Sequence, residues 1–120
     1  MARILIVEDN AANMKLTVLL LERGGHDVIQ ATDAEEGLHL AHERLPKLIL
    51  MDIQLPGMDG LTATRLLKSD PTTRDIKIVA LTALAMSGDR ERIKAAGCDA
   101  YITKPIHYLE FLNLVDEMVA

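Results

Sequence analysis

The sequence predicts an α/β protein in which one parallel sheet of five strands is doubly wound, with helices on both faces. Three observations predict it. Five short apolar runs recur along the chain, a stretch with helical spacing follows each of them, and turn signals separate the two. Runs that are apolar throughout, instead of alternating, are those of strands buried on both sides, as a sheet between two helical layers requires.

The first run, Arg3 to Val7 (RILIV), ends in Glu8-Asp9-Asn10 and reads as strand one. Ala11 to Arg23 follows with a helical pattern that Gly24-Gly25 closes, since glycine adopts the left-handed conformation beyond a helix end. Asp27 to Ala31 is a second strand, shorter and more polar, as an edge strand would be. Thr32 or Asp33 can cap the next helix, whose Ala34, Leu38, Ala41 and Leu45 make one apolar stripe before Pro46 stops it. Leu48 to Met51 is the third strand. After the Pro56-Gly57 turn, Gly60 to Lys68 is a short helix with Ala63, Leu66 and Leu67 facing inward, and Ser69 to Thr73 breaks it. Ile76 to Leu81 is the fourth strand and ends in Thr82; Ser87 can cap a helix from about Gly88 to Ala96, with Gly97 just beyond. Ala100 to Thr103 is the fifth strand and runs into Lys104-Pro105. A last helix from about His107 places Phe111, Leu112, Val115 and Val119 at core spacing.

Right-handed crossovers make such a sheet doubly wound. The six-strand order needs one more β-α unit than this chain has, which leaves the flavodoxin-like order 2-1-3-4-5. A chain of 120 residues, 49% hydrophobic, suits one domain over residues 1 to 120 with a proper core. No linker, repeat or low-complexity segment interrupts it, and a start at strand one and an end at helix five suggest a whole unit. The 13 Lys and Arg residues are scattered among 18 Asp and Glu, and Tyr101, Tyr108 and Phe111 are the only aromatics, so no basic, aromatic face is expected for nucleic acid. No apolar run reaches the ~18 residues that would cross a bilayer, and Met1-Ala2-Arg3 leads straight into a strand, so no membrane insertion and a cytoplasmic location are expected. The one cysteine, Cys98, has no internal disulfide partner and reads as a packing residue. His39 and His42, one turn apart, have no third metal ligand nearby and read as an exposed polar face.

The chemistry gathers at the strand ends. In the order 2-1-3-4-5, strand one delivers Glu8 and Asp9, strand three Asp52, strand four Thr82 and strand five Lys104 to the carboxyl end of the sheet, where α/β proteins bind their ligands. Three adjacent carboxylates repel one another and raise each other's pKa unless a cation sits among them. Magnesium fits such a set because it needs few carboxylates and leaves room for water and phosphate oxygens. Asp9 and Asp52 would hold it, with Glu8 acting through water and the backbone carbonyl of Gln54 completing the shell. Asp52 is then a carboxylate nucleophile toward a phosphoryl group. Lys104 would neutralise its equatorial oxygens and the Thr82 hydroxyl would bond one of them.

Those residues stand in motifs: VEDN from Val7 to Asn10, LMDIQLPGMDG from Leu50 to Gly60, LTA from Leu81 to Ala83, and YITKP from Tyr101 to Pro105. Over the whole chain the set resembles the receiver domain of two-component response regulators. The resemblance implies that Asp52 is the phosphoacceptor, that Glu8 and Asp9 hold magnesium, with manganese able to substitute, and that Thr82 and Lys104 bind the phosphoryl group. It also implies a cis Lys104-Pro105 peptide. Among receivers, EDNxxNMKL with MDIQLP is most similar to the single-domain DivK-type regulators of bacterial cell division and polarity.

A receiver of this kind accepts its phosphoryl group from a sensor histidine kinase or a histidine phosphotransferase and signals by binding, so it is a signalling protein and not a metabolic enzyme. Thr82 would move toward the phosphoryl group, and Tyr101 would rotate into the space behind it. That coupling changes the surface of helix four, strand five and helix five, where Met86, Arg90, Tyr101 and His107 are candidate contacts for a downstream protein. Helix one, with Asn13 and Met14 exposed early, is a candidate dock for the phosphodonor. A monomer, or a weak dimer formed on phosphorylation, is expected. Two rivals remain. A haloacid-dehalogenase-like phosphatase would need a second Asp where Gln54 stands, as general acid, and the alternative is a binding module of receiver fold that works without phosphorylation. A flavodoxin-type electron carrier is disfavoured because Glu8-Asp9 would repel the phosphate of a flavin.

Overall fold

Five β-rich apolar runs and five amphipathic helices alternate because each strand must bury both faces and each helix only one. A computed structural model describes residues 2–83 and 88–120. The order is β1 (Arg3–Val7), α1 (Ala11–Arg23), β2 (Asp27–Ala31), α2 (Ala34–Arg44), β3 (Leu48–Asp52), α3 (Gly60–Ser69), β4 (Lys77–Thr82), α4 (Asp89–Ala96), β5 (Ala100–Thr103) and α5 (Tyr108–Val119). All four strand pairings are parallel, and the sheet order is β2-β1-β3-β4-β5, as expected from the strand count. The expected cap at Ser87 and contact at Met86 lie outside the described residues.

Alternation along the strands sorts the core into layers. Ile4, Ile6, Leu48, Leu50, Val79 and Leu81 point to one face, where α1 and α5 bring Met14, Leu21, Phe111 and Val115. Leu5, Val7, Ile49, Met51 and Ile78 point to the other, where α2 and α3 bring Ala41, Ala63 and Leu67. Ala80 extends that second face toward α4, with Ile93 and Ala96. β3 is buried along its full length, which makes it the centre of the sheet.

The helix ends follow their side chains. Asn10 caps α1 by accepting a hydrogen bond from the Asn13 amide, Asp33 caps α2 through Glu36 and Asp59 caps α3 through Thr62. Gly25 takes a φ of 84°, the left-handed turn expected after α1. Four expectations are corrected. Leu45 is not in the α2 stripe: it is the C-cap, at a left-handed φ of 43°, and is 54% exposed. Leu66 is 48% exposed, because α3 presents Leu61, Ala63, Thr64 and Leu67 to the core and has no apolar layer left to cover a fifth position. Met14 is only 7% exposed and packs beneath α1, so the outward apolar residues of that helix are Leu16 and Leu19. β2 is polar as expected but as long as β1; β5, at four residues, is the shorter edge.

Candidate functional site

The strand ends set the site. Glu8 continues the alternation of Ile4 and Ile6, Asp52 that of Leu48 and Leu50, and Lys104 that of Ala100 and Ile102, so all three groups arrive from the α1 and α5 face. Thr82 follows Ala80 and arrives from the opposite face. Parallel register carries Val7 opposite Met51 and Asp52 opposite Leu81, which brings Glu8 and Asp52 side by side. The loop after β3 then folds back so that the first residue of α3 lies on the backbone of Asp52. A Cβ at Gly60 would stand 2.1 Å from the Asp52 carbonyl oxygen, so glycine is what allows that approach.

At the centre the Lys104 ammonium donates to Glu8 Oε1 at 2.9 Å and to Asp52 Oδ2 at 3.1 Å. Glu8 and Asp52 are 1% and 4% exposed. Their other oxygens face backbone amides: Asn10 N–H donates to Glu8 Oε2 at 3.2 Å, and Gln54 N–H to Asp52 Oδ1 at 2.9 Å. Each carboxylate is therefore held on both oxygens. Burial pushes the Glu8 carboxyl above its ordinary value, and the neighbouring Asp52 adds to the rise, while the bond from Lys104 opposes it. Burial works against the Lys104 ammonium too, yet its bonds to Glu8 and Asp52 outweigh that and leave its pKa above the usual lysine value. Asp9 is exposed at the rim.

Glu8, Asp9 and Asp52 each offer an oxygen, all within 4.8 Å of one another. Opposite ligands of magnesium stand about 4.2 Å apart, twice its bond length, so small side-chain shifts suffice for this set to fit the ion. Thr82 is buried beside the cluster, and its backbone carbonyl accepts a 2.7 Å hydrogen bond from the Lys104 amide. The Lys104-Pro105 peptide is cis, as expected. Tyr101 is half-buried on β5, away from the carboxylates, with Arg90 over its ring. Sequence reasoning brought Glu8, Asp9, Asp52, Thr82 and Lys104 to one sheet end but did not find three features around them. Asn10 and Gln54 act through backbone amides, which no side-chain motif announces, although their place one or two residues after a site carboxylate is a signal. The pairing of Arg90 with Tyr101 depends on how α4 is rotated and has no such signal.

A family model of the response regulator receiver domain matches residues 4–116. The chain belongs to that family. This receiver is 49% identical over 112 residues to the polar-differentiation response regulator DivK of Brucella anthropi, a match that spans 93% of this chain and 91% of that protein. Among solved structures, a putative response regulator from Chloroflexus aurantiacus aligns with a TM-score of 0.94 and 29% identity, covering 98% of this chain and 97% of that one. The receiver domain of the sensor histidine kinase PA1611 from Pseudomonas aeruginosa aligns with a TM-score of 0.91 and 34% identity over 98% and 97% of the two chains. That domain has a magnesium ion coordinated in its active site cleft. No helix among the described residues of this receiver is long and apolar enough to cross a membrane.

Proposed function

We propose that this receiver takes a phosphoryl group from a phosphohistidine onto Asp52 and passes the signal on by phosphorylation-dependent binding to another protein. The observation that carries the reading is the half-buried Lys104 ammonium between the buried Glu8 and Asp52, at a sheet end where Asp9 brings a third carboxylate. An Asp52 oxygen attacks phosphorus; the new O–P bond forms as the P–N bond of the donor breaks, and its electron pair leaves with the imidazole. The amide of Gln54 and the ammonium of Lys104 fix the carboxylate for that approach. Lys104 then meets the charge on the equatorial oxygens, and the Thr82 hydroxyl donates to one of them. Glu8, Asp9, Asp52 and the Gln54 carbonyl would hold magnesium or manganese, which when bound supplies positive charge against the carboxylates and the phosphoryl oxygens.

A sensor histidine kinase or phosphotransferase is the donor, and α1, with Leu16 and Leu19 exposed, is the surface offered to it. The move of Thr82 draws Tyr101 inward and changes the face made by α4, β5 and α5, which a downstream protein reads. The 49% identity to the polar-differentiation regulator DivK supports a role in cell polarity, and a part in cell division and a cytoplasmic location belong to the same proposal. Intact mass after acetyl phosphate, with and without magnesium, tests the chemistry. The wild type should gain one labile phosphoryl group only with the metal, and Asp52→Asn should gain none. A wild type that gains nothing under any condition leaves a receiver fold that binds without phosphorylation.

A further inference from the structure

Tyr101 carries one arrangement that the phosphoacceptor chemistry does not use. Arg90, in the first turn of α4, sets its guanidinium carbon 5.8 Å from the centre of the Tyr101 ring. The ring rests half-buried against the Ala80, Ile93 and Ala96 cluster, and Arg90 and Tyr101 together line two cavities of about 340 and 320 Å³. Glu110 lines one and Asp99 the other, yet Arg90 makes no ion pair among the described residues. The guanidinium is therefore given to the ring. Register places Tyr101 opposite Ala80, so Thr82, two residues further on, lies on the same face of the sheet. Ala80, the register partner of Tyr101, is a small residue on that same face.

We infer that Arg90 is a latch on the switch: it holds the Tyr101 ring in its outer position and so sets how much active state exists before phosphorylation. The inference rests on the switch role given to Tyr101 above. A guanidinium over an exposed aromatic face favours that arrangement by roughly two- to fivefold. A bias of that size is enough to set the basal level of a two-state protein without preventing the phosphoryl group from overriding it.

The test uses the full chain in a Tyr108→Phe background, so that 3-fluorotyrosine reports position 101 alone by fluorine NMR. Spectra are taken with and without acetyl phosphate and magnesium, with intact mass measured on the same samples. In unphosphorylated Arg90→Ala the resonance should move part of the way toward its phosphorylated position, a two- to fivefold gain in active population, and in Arg90→Lys it should lie closer to the parent position because the cation is kept. If the parent protein responds to phosphorylation but Arg90→Ala matches it before phosphorylation, the latch is wrong and the switch stands. If the parent protein gains the phosphoryl mass but its resonance stays fixed, the switch is wrong and the latch falls with it. If the parent protein gains no mass, the phosphoacceptor reading fails first and takes both with it.

Discussion

At the scale of single residues, Lys104 decides the state of the site. Its ammonium bridges two buried carboxylates, and removing it leaves Glu8 and Asp52 facing each other with only backbone amides to hold them. Breaking one side of a buried ion pair costs about 3–5 kcal/mol, and the 18% side-chain exposure of Lys104 places this case at or below the lower end. Lys104→Ala should therefore lower the urea midpoint in metal-free buffer. Magnesium should restore more stability to Lys104→Ala than to the wild type, because the ion then has no ammonium to compete with for the same oxygens. Urea titrations of both proteins with and without magnesium decide it, and equal recovery would rule the competition out. Sequence alone placed Glu8, Asp52 and Lys104 together, because a residue at or just past the end of a parallel strand is a local feature and strand order carries it to the site. The sequence did not show that Gly60 lies on the Asp52 carbonyl, since that approach is a property of the returning loop.

At the scale of elements, the α2 end shows what pattern reading misses. Leu45 sits one turn beyond Ala41 and so looks like a core position, but the helix has already ended there with a left-handed residue before Pro46. A left-handed conformation costs an ordinary L-residue about 1–2 kcal/mol, and Asn tolerates it better. Leu45→Asn should raise stability by about 0.5–1 kcal/mol, read as a higher melting temperature. Nearby, His42 at the end of α2 reaches Asp70 beyond α3, with its second ring nitrogen on the Leu38 carbonyl. Both nitrogens face acceptors, an arrangement that favours the imidazolium over the neutral ring. The bond to Asp70 raises the His42 pKa above 6.5. The Thr72 amide, and after it His42, lower that of Asp70 below 3.8. The histidine contribution is complete below 6.5 and is lost as pH rises through the raised value; the aspartate contribution is present above 3.8 and is lost as pH falls through the lowered one. The clasp between α2 and α3 is therefore strongest between those limits and weakens in alkali. Between pH 5.5 and 8.5 the wild type should lose more of its urea midpoint than His42→Gln does. No sequence pattern joins residues 28 positions apart at the ends of two helices, so reading His42 only as exposed polar surface missed this pair.

At the scale of the whole molecule, the aromatic content is so low that one ring carries much of a layer. Phe111 is wholly buried between α5 and the sheet and is the only phenylalanine. Phe111→Ala should cost about 3–5 kcal/mol against a total of about 5–15 kcal/mol for a domain, and chemical denaturation should find the variant close to unfolding at 37 °C. The fold itself was legible because five apolar runs and their turn signals admit few topologies, whereas helix rotation, which sets Met14 inward and Leu66 outward, depends on how many apolar layers each helix has to cover. Alternation along the strands has one more effect. Glu8, Asp52 and Lys104 come up from one side of the sheet and Thr82 from the other, so the two sides of the sheet meet at its carboxyl end. Under the proposed function, changes around α1 should alter how fast the phosphoryl group is taken up and changes around α4 how it is read, while α5 borders both.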